Sequence, residues 1–491
     1  MNIRALVYKT HKSLAWLAFS ALLLWGLSGL LHPLMSAFGV QQAVFAPPRR
    51  ALDMSQSLPL QDILRQAGIA QAQAVRVVVS TPANLLQVTT TQHAPRRYFA
   101  LDDGHEIVEH DAAHAEFVAR HYLGLLSPEN KVSKVEWIDQ FSNEYPSVNR
   151  LLPVYKVSFN RPDQLTAWVY TETNSLAAVS DSRKAAMQTL FQWVHTWSFM
   201  PTSLEWPRVA VIGAWVGLLA GTGLGGLFML LAIRRRVEPK RAKSWHRAGG
   251  WVLSVPLIAL AGSGVYHLFQ YAGTQSPPVL ALQQPIALDQ LKFKLPPEWK
   301  SITQGLPVNG LSLVQSPQGE LVIRLGLANT NTPEPLSANA LRNARFDGIT
   351  PTGPAVYLKA DSGQVWAEGD RELAIGLALK HTGAPKEAIL DTELVTRFGG
   401  LYDFRNKRLP VWRIDLGAPV NGSVFIDTNS GALVDITADS AKLERWSFSV
   451  LHKWNFLQAF GRNTQNIVVS VAVLGMLIFF AALGFRLKRA R

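Results

Sequence analysis

Two pairs of histidines occupy matching places in the chain. His246 follows His11 by 235 positions, His267 follows His32 by the same distance, and within each copy the two rings are 21 residues apart. Each copy brackets an apolar run, where an imidazole is costly and usually has a partner or a function. Haem iron takes an axial imidazole on each face, offered by helices that face one another. On that chemistry His11 and His246 would ligate one haem, and His32 and His267 a second. The other reading of the same rings is interfacial, polar tips that snorkel to headgroups and were copied along with everything else. A third pair, His195 and His452, lies in aromatic segments beside Trp193, Trp197 and Trp454. These rings offer alternative outer ligands, in place of His32 and His267 or mixed with them. Otherwise they face a substrate or anchor an interface. Twenty-one residues make roughly 31 Å of straight helix and turn the two rings some 60° apart. Two haems at those levels therefore require a bend near Gly26 and Gly29 or inward-tilted rings.

Other chemistry is thinner. His105, His110, His114 and His121 cluster, and His110 with His114 has the i, i+4 spacing of a helical metal site. No Glu completes a His-Glu-x-x-His pattern and the second copy lacks the cluster, so a solvated helix face is the expectation. Gly221-Thr222-Gly223-Leu224-Gly225-Gly226 satisfies the dinucleotide pattern but falls inside an apolar run, without the strand that the fingerprint needs. Small residues there suit close helix packing. No P-loop, Gly-x-Ser-x-Gly elbow or cysteine nucleophile is present. With no cysteine in 491 residues, disulfides, iron–sulfur ligation and c-type haem attachment are excluded.

These residues are carried by four apolar runs, about 14–38, 209–233, 251–269 and 467–485, none containing Asp, Glu, Lys or Arg. Each has about the 20 residues needed to cross a hydrocarbon layer. The formal charge of +13 gathers beside the runs: Arg4, Lys9 and Lys12 before the first, Arg234 to Arg247 between the second and third, Arg486 to Arg491 after the fourth. Short Lys/Arg-rich segments stay in the cytoplasm. Both termini are then inside, the segments 40–205 and 272–450 outside, and no basic surface is left for nucleic acid.

The duplication extends through the outer segments. Leu152-Pro153-Val154-Tyr155 answers Leu409-Pro410-Val411-Trp412, Thr173-Asn174-Ser175 answers Thr428-Asn429-Ser430, and His195-Thr196-Trp197-Ser198-Phe199 answers His452-Lys453-Trp454-Asn455-Phe456. Helices over 116–123 and 372–379 match, and alternating strands over 165–170 and 423–427 end in hairpin turns. Each outer segment is expected to form small antiparallel sheets with helices on one face, in two subdomains.

A His-[Lys/Arg] first helix, a strand pair ending in Thr-Asn-Ser and a His-x-Trp-x-Phe segment together resemble the PepSY-associated transmembrane proteins. Some of these are similar to inner-membrane ferric-siderophore reductases that hold b-type haem. The resemblance implies an α+β membrane protein with four transmembrane helices and two tandem periplasmic PepSY-like domains. Its parts would be 1–39 (first span), 40–206 (first outer domain), 207–233 (second span), 234–247 (basic cytoplasmic loop), 248–271 (third span), 272–455 (second outer domain) and 456–491 (fourth span and basic tail). It also implies a bacterial inner-membrane oxidoreductase holding about two b-type haems. Such a protein would reduce a periplasmic ferric chelate or siderophore, with electrons from a quinone or a cytoplasmic reductase. The alternatives are a membrane-anchored peptide- or protein-binding module, working by strand addition, and a permease component. Four spans with few polar groups and no inverted repeat fit the permease poorly.

Overall fold

The computed structural model describes residues 3–127, 129–233, 241–272, 280–292, 294, 301–328, 344–348 and 352–489. Of the basic loop, Arg234 to Lys240 lie outside the described residues; the rest opens the third long helix. The chain forms two compact units: 1–39, 182–275 and 440–491 make a helical unit, 40–181 and 276–439 a sheet unit. The outer segments expected to end at 206 and 455 thus end at 181 and 439. The aromatic segments after those points group with the long helices.

Four helices of the helical unit are long and apolar enough to cross a membrane. They are α1 (Ile3–Phe38), α5 (Glu205–Ala232), α6 (Arg241–Tyr271) and α9 (Arg462–Arg489). α1 packs on α5 and α9, and α6 on α5 and α9, closing a ring of four. Its centre is built from Ala18, Ala21, Leu22, Leu219, Leu257, Ala261, Met476 and Leu477. Large apolar side chains such as Leu27, Leu231, Val252, Val471 and Ile478 face outward and are exposed. α1 runs as one helix past Gly26 and Gly29, with Pro33 inside it. Two shorter segments complete the unit. α4 (Ser182–His195) packs on α1, and α8 (Asp439–Ser447) leads into a π-helical turn (Phe448–His452) packed on α6. Just beyond them Trp197 and Trp454 both adopt φ 53°, so the two copies turn the same way.

In the sheet unit the first copy supplies α2 (Leu60–Gln66), β1 (Gln71–Ala72), β2 (Ala74–Val79), β3 (Asn84–Thr89), β4 (Arg97–Ala100), α3 (His110–Leu123), β5 (Val132–Ile138), β6 (Val154–Phe159), β7 (Thr166–Tyr170) and β8 (Ser175–Ser180). The second supplies β9 (Ile286–Ala287), β10 (Val308–Gln315), β11 (Leu321–Ala328), β12 (Thr352–Lys359), α7 (Gly369–Thr382), β13 (Ile389–Val395), β14 (Val411–Leu416), β15 (Gly422–Asp427) and β16 (Ala432–Ala438). β5-β6-β7-β8 and β13-β14-β15-β16 are four-stranded antiparallel meanders of the same order. Each has a helix on one face, as expected. Ala115, Val118 and Ala119 of α3 meet Val157, Ala167 and Val169; Leu373, Leu377 and Ala378 of α7 meet Ile414, Val424 and Ile426. Asn174 at φ 52° and Gly431 at φ +66° make the hairpin turns, conformations that favour Asn and Gly.

The remaining strands depart from the expectation of one separate domain per copy. Six of them form a single sheet, β12-β11-β10-β2-β3-β4, in which β10 of the second copy pairs with β2 of the first, and β1 pairs with β9 in a separate two-stranded sheet.

Candidate functional site

His11 reaches from α1 and His246 from α6, and their ring centres stand 6.1 Å apart with planes at 62°. The His11 Nδ1–H donates to the Thr222 carbonyl of α5 at 3.1 Å. That fixes the tautomer and leaves Nε2 with its lone pair, the usual device for orienting a ligating histidine. The glycine run of α5 provides the seat: a Cβ at Gly226 would meet the His11 Cε1 at 3.4 Å, and one at Gly223 would meet Ile258 at 3.0 Å. The dinucleotide-like pattern is therefore a packing surface, and part of it packs on a histidine. His246 lies edge-on to Phe480 at 6.2 Å, and its Nδ1 is buried with no hydrogen-bond partner. Leaving such a group unpaired costs about 1–3 kcal/mol, which a bound ligand would relieve.

At the other end of the bundle each copy stacks a Phe on the His of its aromatic segment, and the ring from the long helix stacks on that Phe only in the second copy. Phe191 and His195 of α4 are parallel at 4.7 Å, with His32 of α1 at 6.4 Å from Phe191. Phe448 and His452 are parallel at 4.7 Å, with His267 of α6 against Phe448 at 3.7 Å. The Ser-Gly dipeptides that precede His32 and His267 are the seats of the other two rings. His195 Nδ1 lies 2.9 Å from the Ser28 hydroxyl, whose own proton goes to the Leu24 carbonyl at 2.6 Å. His452 Nδ1–H donates to the Leu260 carbonyl at 3.0 Å, with Ser263 Oγ at 3.5 Å. Cβ atoms at Gly29 and Gly264 would meet the two Cε1 atoms at 3.5 and 3.2 Å. Burial lowers the pKa of His195 to about 3, with His452 and His32 nearby opposing its charge, and that of His452 to about 4. Both rings are thus neutral, as iron ligation requires. Seated at Ser28, His195 lies about 6 Å closer along α1 to the level of His11 than His32 does.

The copies differ at one atom of consequence. Glu444 is 1% exposed and accepts a hydrogen bond from His267 Nδ1 at 2.5 Å; the corresponding place on α4 holds Met187, and His32 is exposed. A carboxylate behind an imidazole raises its basicity. Trp16 and Trp251 are half exposed. Trp25 donates its Nε1–H to the His195 carbonyl at 3.0 Å and stacks on Trp197.

Of the histidine cluster, His114 is not on a solvated face. It is fully buried, its Nε2 paired with Asn174 at 2.7 Å and its Nδ1 with Ser80 at 3.0 Å, which also holds His110. Burial lowers its pKa to about 4, and both nitrogens are used, so it joins helix α3 to the sheets. His105 pairs with Asp103 and His121 with the Ala46 carbonyl. Among the described residues no group of three or more His, Asp or Glu side chains is arranged around a bare metal ion.

The separation of the inner pair, 6.1 Å between ring centres, is that of two imidazoles that would share one iron. Two metal–imidazole bonds of about 2.0 Å, extended by two half-rings, place axial ring centres about 6 Å apart. Gly226→Leu puts branched carbons where the His11 ring sits and should displace it. Haem retained on purification is expected to fall by about half, with Gly226→Ala nearly unchanged. No known family's sequence profile matches the chain, and no curated protein matches it in sequence.

Proposed function

We propose that the helical unit spans the bacterial inner membrane and carries electrons across it through two b-type haems, reducing a periplasmic ferric chelate in iron acquisition. The observation that carries this reading is the His11–His246 pair, two imidazoles from different helices at 6.1 Å, with the first ring's Nδ1 committed to a carbonyl. His11 and His246 would hold the inner haem, and His32 with His267 the outer one, with His195 and His452 as alternative ligands in their place or mixed with them. A bound haem supplies a reversible one-electron step. The chain's share is to hold both imidazoles neutral, exclude water and fix the iron levels. Electrons enter from a quinone or a cytoplasmic reductase, since no flavin or nicotinamide module is visible in the sequence. Reducing the chelated iron to Fe(II) loosens its hold by hard oxygen ligands.

Strand addition of a peptide is the weaker reading. Two of the edge strands, β5 and β13, carry Lys134, Glu136, Asp391 and Glu393, all in ion pairs, and charged edges discourage pairing. The test is proteoliposomes with a reductant sealed inside and a ferric chelate outside. Fe(II) captured by an external ferrous chelator supports the conduit, and none above protein-free vesicles contradicts it. Glu444→Gln, which removes the carboxylate behind His267, should raise the outer haem's midpoint potential by tens of millivolts, on the order of a tenfold change in the redox equilibrium. Redox titration of the visible spectrum reads it, and an unmoved potential would take His267 out of the ligand set.

A further inference from the structure

The place where the two copies join in the sheet unit has chemistry of its own. β2 and β10 pair only through Val75, Arg76 and Val77 against Leu313, Ser312 and Leu311. Beyond that β2 continues alongside β3 to Val79, while β10 bulges against β11 between Val308 and Gly310. The strands part, and a cavity of about 250 Å³ opens at the parting. Six cations line it: Arg49, Arg76, Arg324, Arg345, Lys407 and Arg408, against the single carboxylate of Asp427. Counting also Glu172 and Asp370, which pair with Arg76 and Arg324 from behind, three positive charges remain in excess. Arg408 is 5% exposed. Its Nη1 donates to Asp427 at 2.9 Å and Ser430 at 2.8 Å, and its Nε and Nη2 have no hydrogen-bond partner. Arg408 thus adds a buried positive charge, with two donors that the protein leaves unpaired, to a lining already rich in guanidinium groups.

We propose that this cavity binds a small polycarboxylate, free or as its ferric complex, through guanidinium and ammonium groups that converge where the two copies' strands part. Guanidinium forks match planar carboxylates two bonds at a time. The cations arrive from separate segments of chain, which suits several spaced carboxylates better than one compact anion. The volume falls below the roughly 300–1,000 Å³ of drug-sized pockets, so the ligand is small. The assignment stands on the sheet unit alone and does not depend on haem.

Isothermal titration of the full chain in detergent tests it, using citrate, preformed ferric citrate, tricarballylate and inorganic phosphate as probes. Citrate or its ferric complex should bind one to one, and comparing the two tells the free acid from the iron-bearing source. Arg49→Gln and Lys407→Gln, side chains at the rim that are exposed and half-buried, should each weaken binding about tenfold. Arg371→Gln, on the surface of α7, should not change it. Thermal melting checks that each variant is folded. Absence of saturable binding by any carboxylate would overturn the proposal. So would affinity indifferent to both rim substitutions in folded protein, or phosphate bound as tightly as citrate.

Discussion

His246→Ala is expected to halve the low-spin haem of the purified chain, from about two per chain to about one. His11→Ala should do the same, and the double variant should lose no more than either single. The non-additivity is the informative part. Residues that act as a unit do not have additive effects, and two imidazoles on one iron are such a unit. If the two rings were independent interfacial anchors, as their placement near a helix end also allows, their removal would leave the haem spectrum unchanged. Pyridine haemochrome titration together with the low-spin absorption or paramagnetic resonance signal reads the difference. Where one imidazole keeps the haem five-coordinate, the low-spin signal falls although total haem does not. In proteoliposomes the same variants should abolish electron transfer to an external acceptor, because the inner step is the only entry the proposal provides.

Glu172→Ala should give the largest loss of stability. This carboxylate is fully buried and accepts a hydrogen bond from Thr89. It lies 3.8 Å from the guanidinium groups of both Arg76 and Arg96, and Arg96 is itself only 3% exposed. Its removal strands two buried cations, a loss of about 3–5 kcal/mol and a fall in the sheet unit's melting temperature on the order of 10 °C. Asp163→Asn, which breaks the partly exposed Arg161–Asp163 pair, should shift the melt by about 1 °C, since such pairs contribute roughly 0–1 kcal/mol. Comparable shifts for the two substitutions would mean that Glu172 is not the hub of a buried network. Because Arg76 lines the cavity at the junction of the copies, Glu172→Ala should also disturb anion binding there.

What the sequence revealed and what it hid have physical reasons. The four long helices were legible because some 20 consecutive apolar residues admit few other readings. The helix-on-sheet halves were legible because alternating strands and Asn- or Gly-bearing turns repeat in both copies. Their extents were less so: α1 begins at Ile3, well before the apolar run, since Lys9 and Lys12 tolerate a helix as readily as a loop. The β2–β10 junction was hidden, because pairing between distant segments leaves no local signature and three residue pairs make little pattern. The spacing pointed to His11 and His246, which the fold brings within 6.1 Å, whereas His32 and His267 each pack on a Phe of their own copy. The sequence did not give the seats: Ser28-Gly29 and Ser263-Gly264 read as part of a repeated helix, whereas they hold His195 and His452 from other segments. Phe191 and Phe448 were missed although a Phe four residues before His195 and before His452 is itself a repeated signal. Glu444 was invisible for the opposite reason, since its counterpart is Met187 and a search for repeats passes over what is not repeated. His114 shows the limit of polarity as a guide: a histidine-rich helix reads as solvated, but the ring is buried because Ser80 and Asn174 satisfy both nitrogens.

The most direct test is the haem content of the protein itself. Purification in detergent, with oxidised and dithionite-reduced spectra and a pyridine haemochrome assay, should give a b-type spectrum near two haems per chain. A protein that carries no haem, even after incubation with hemin, would contradict haem ligation at His11 and His246 and leave the sheet unit's ligand as the principal activity.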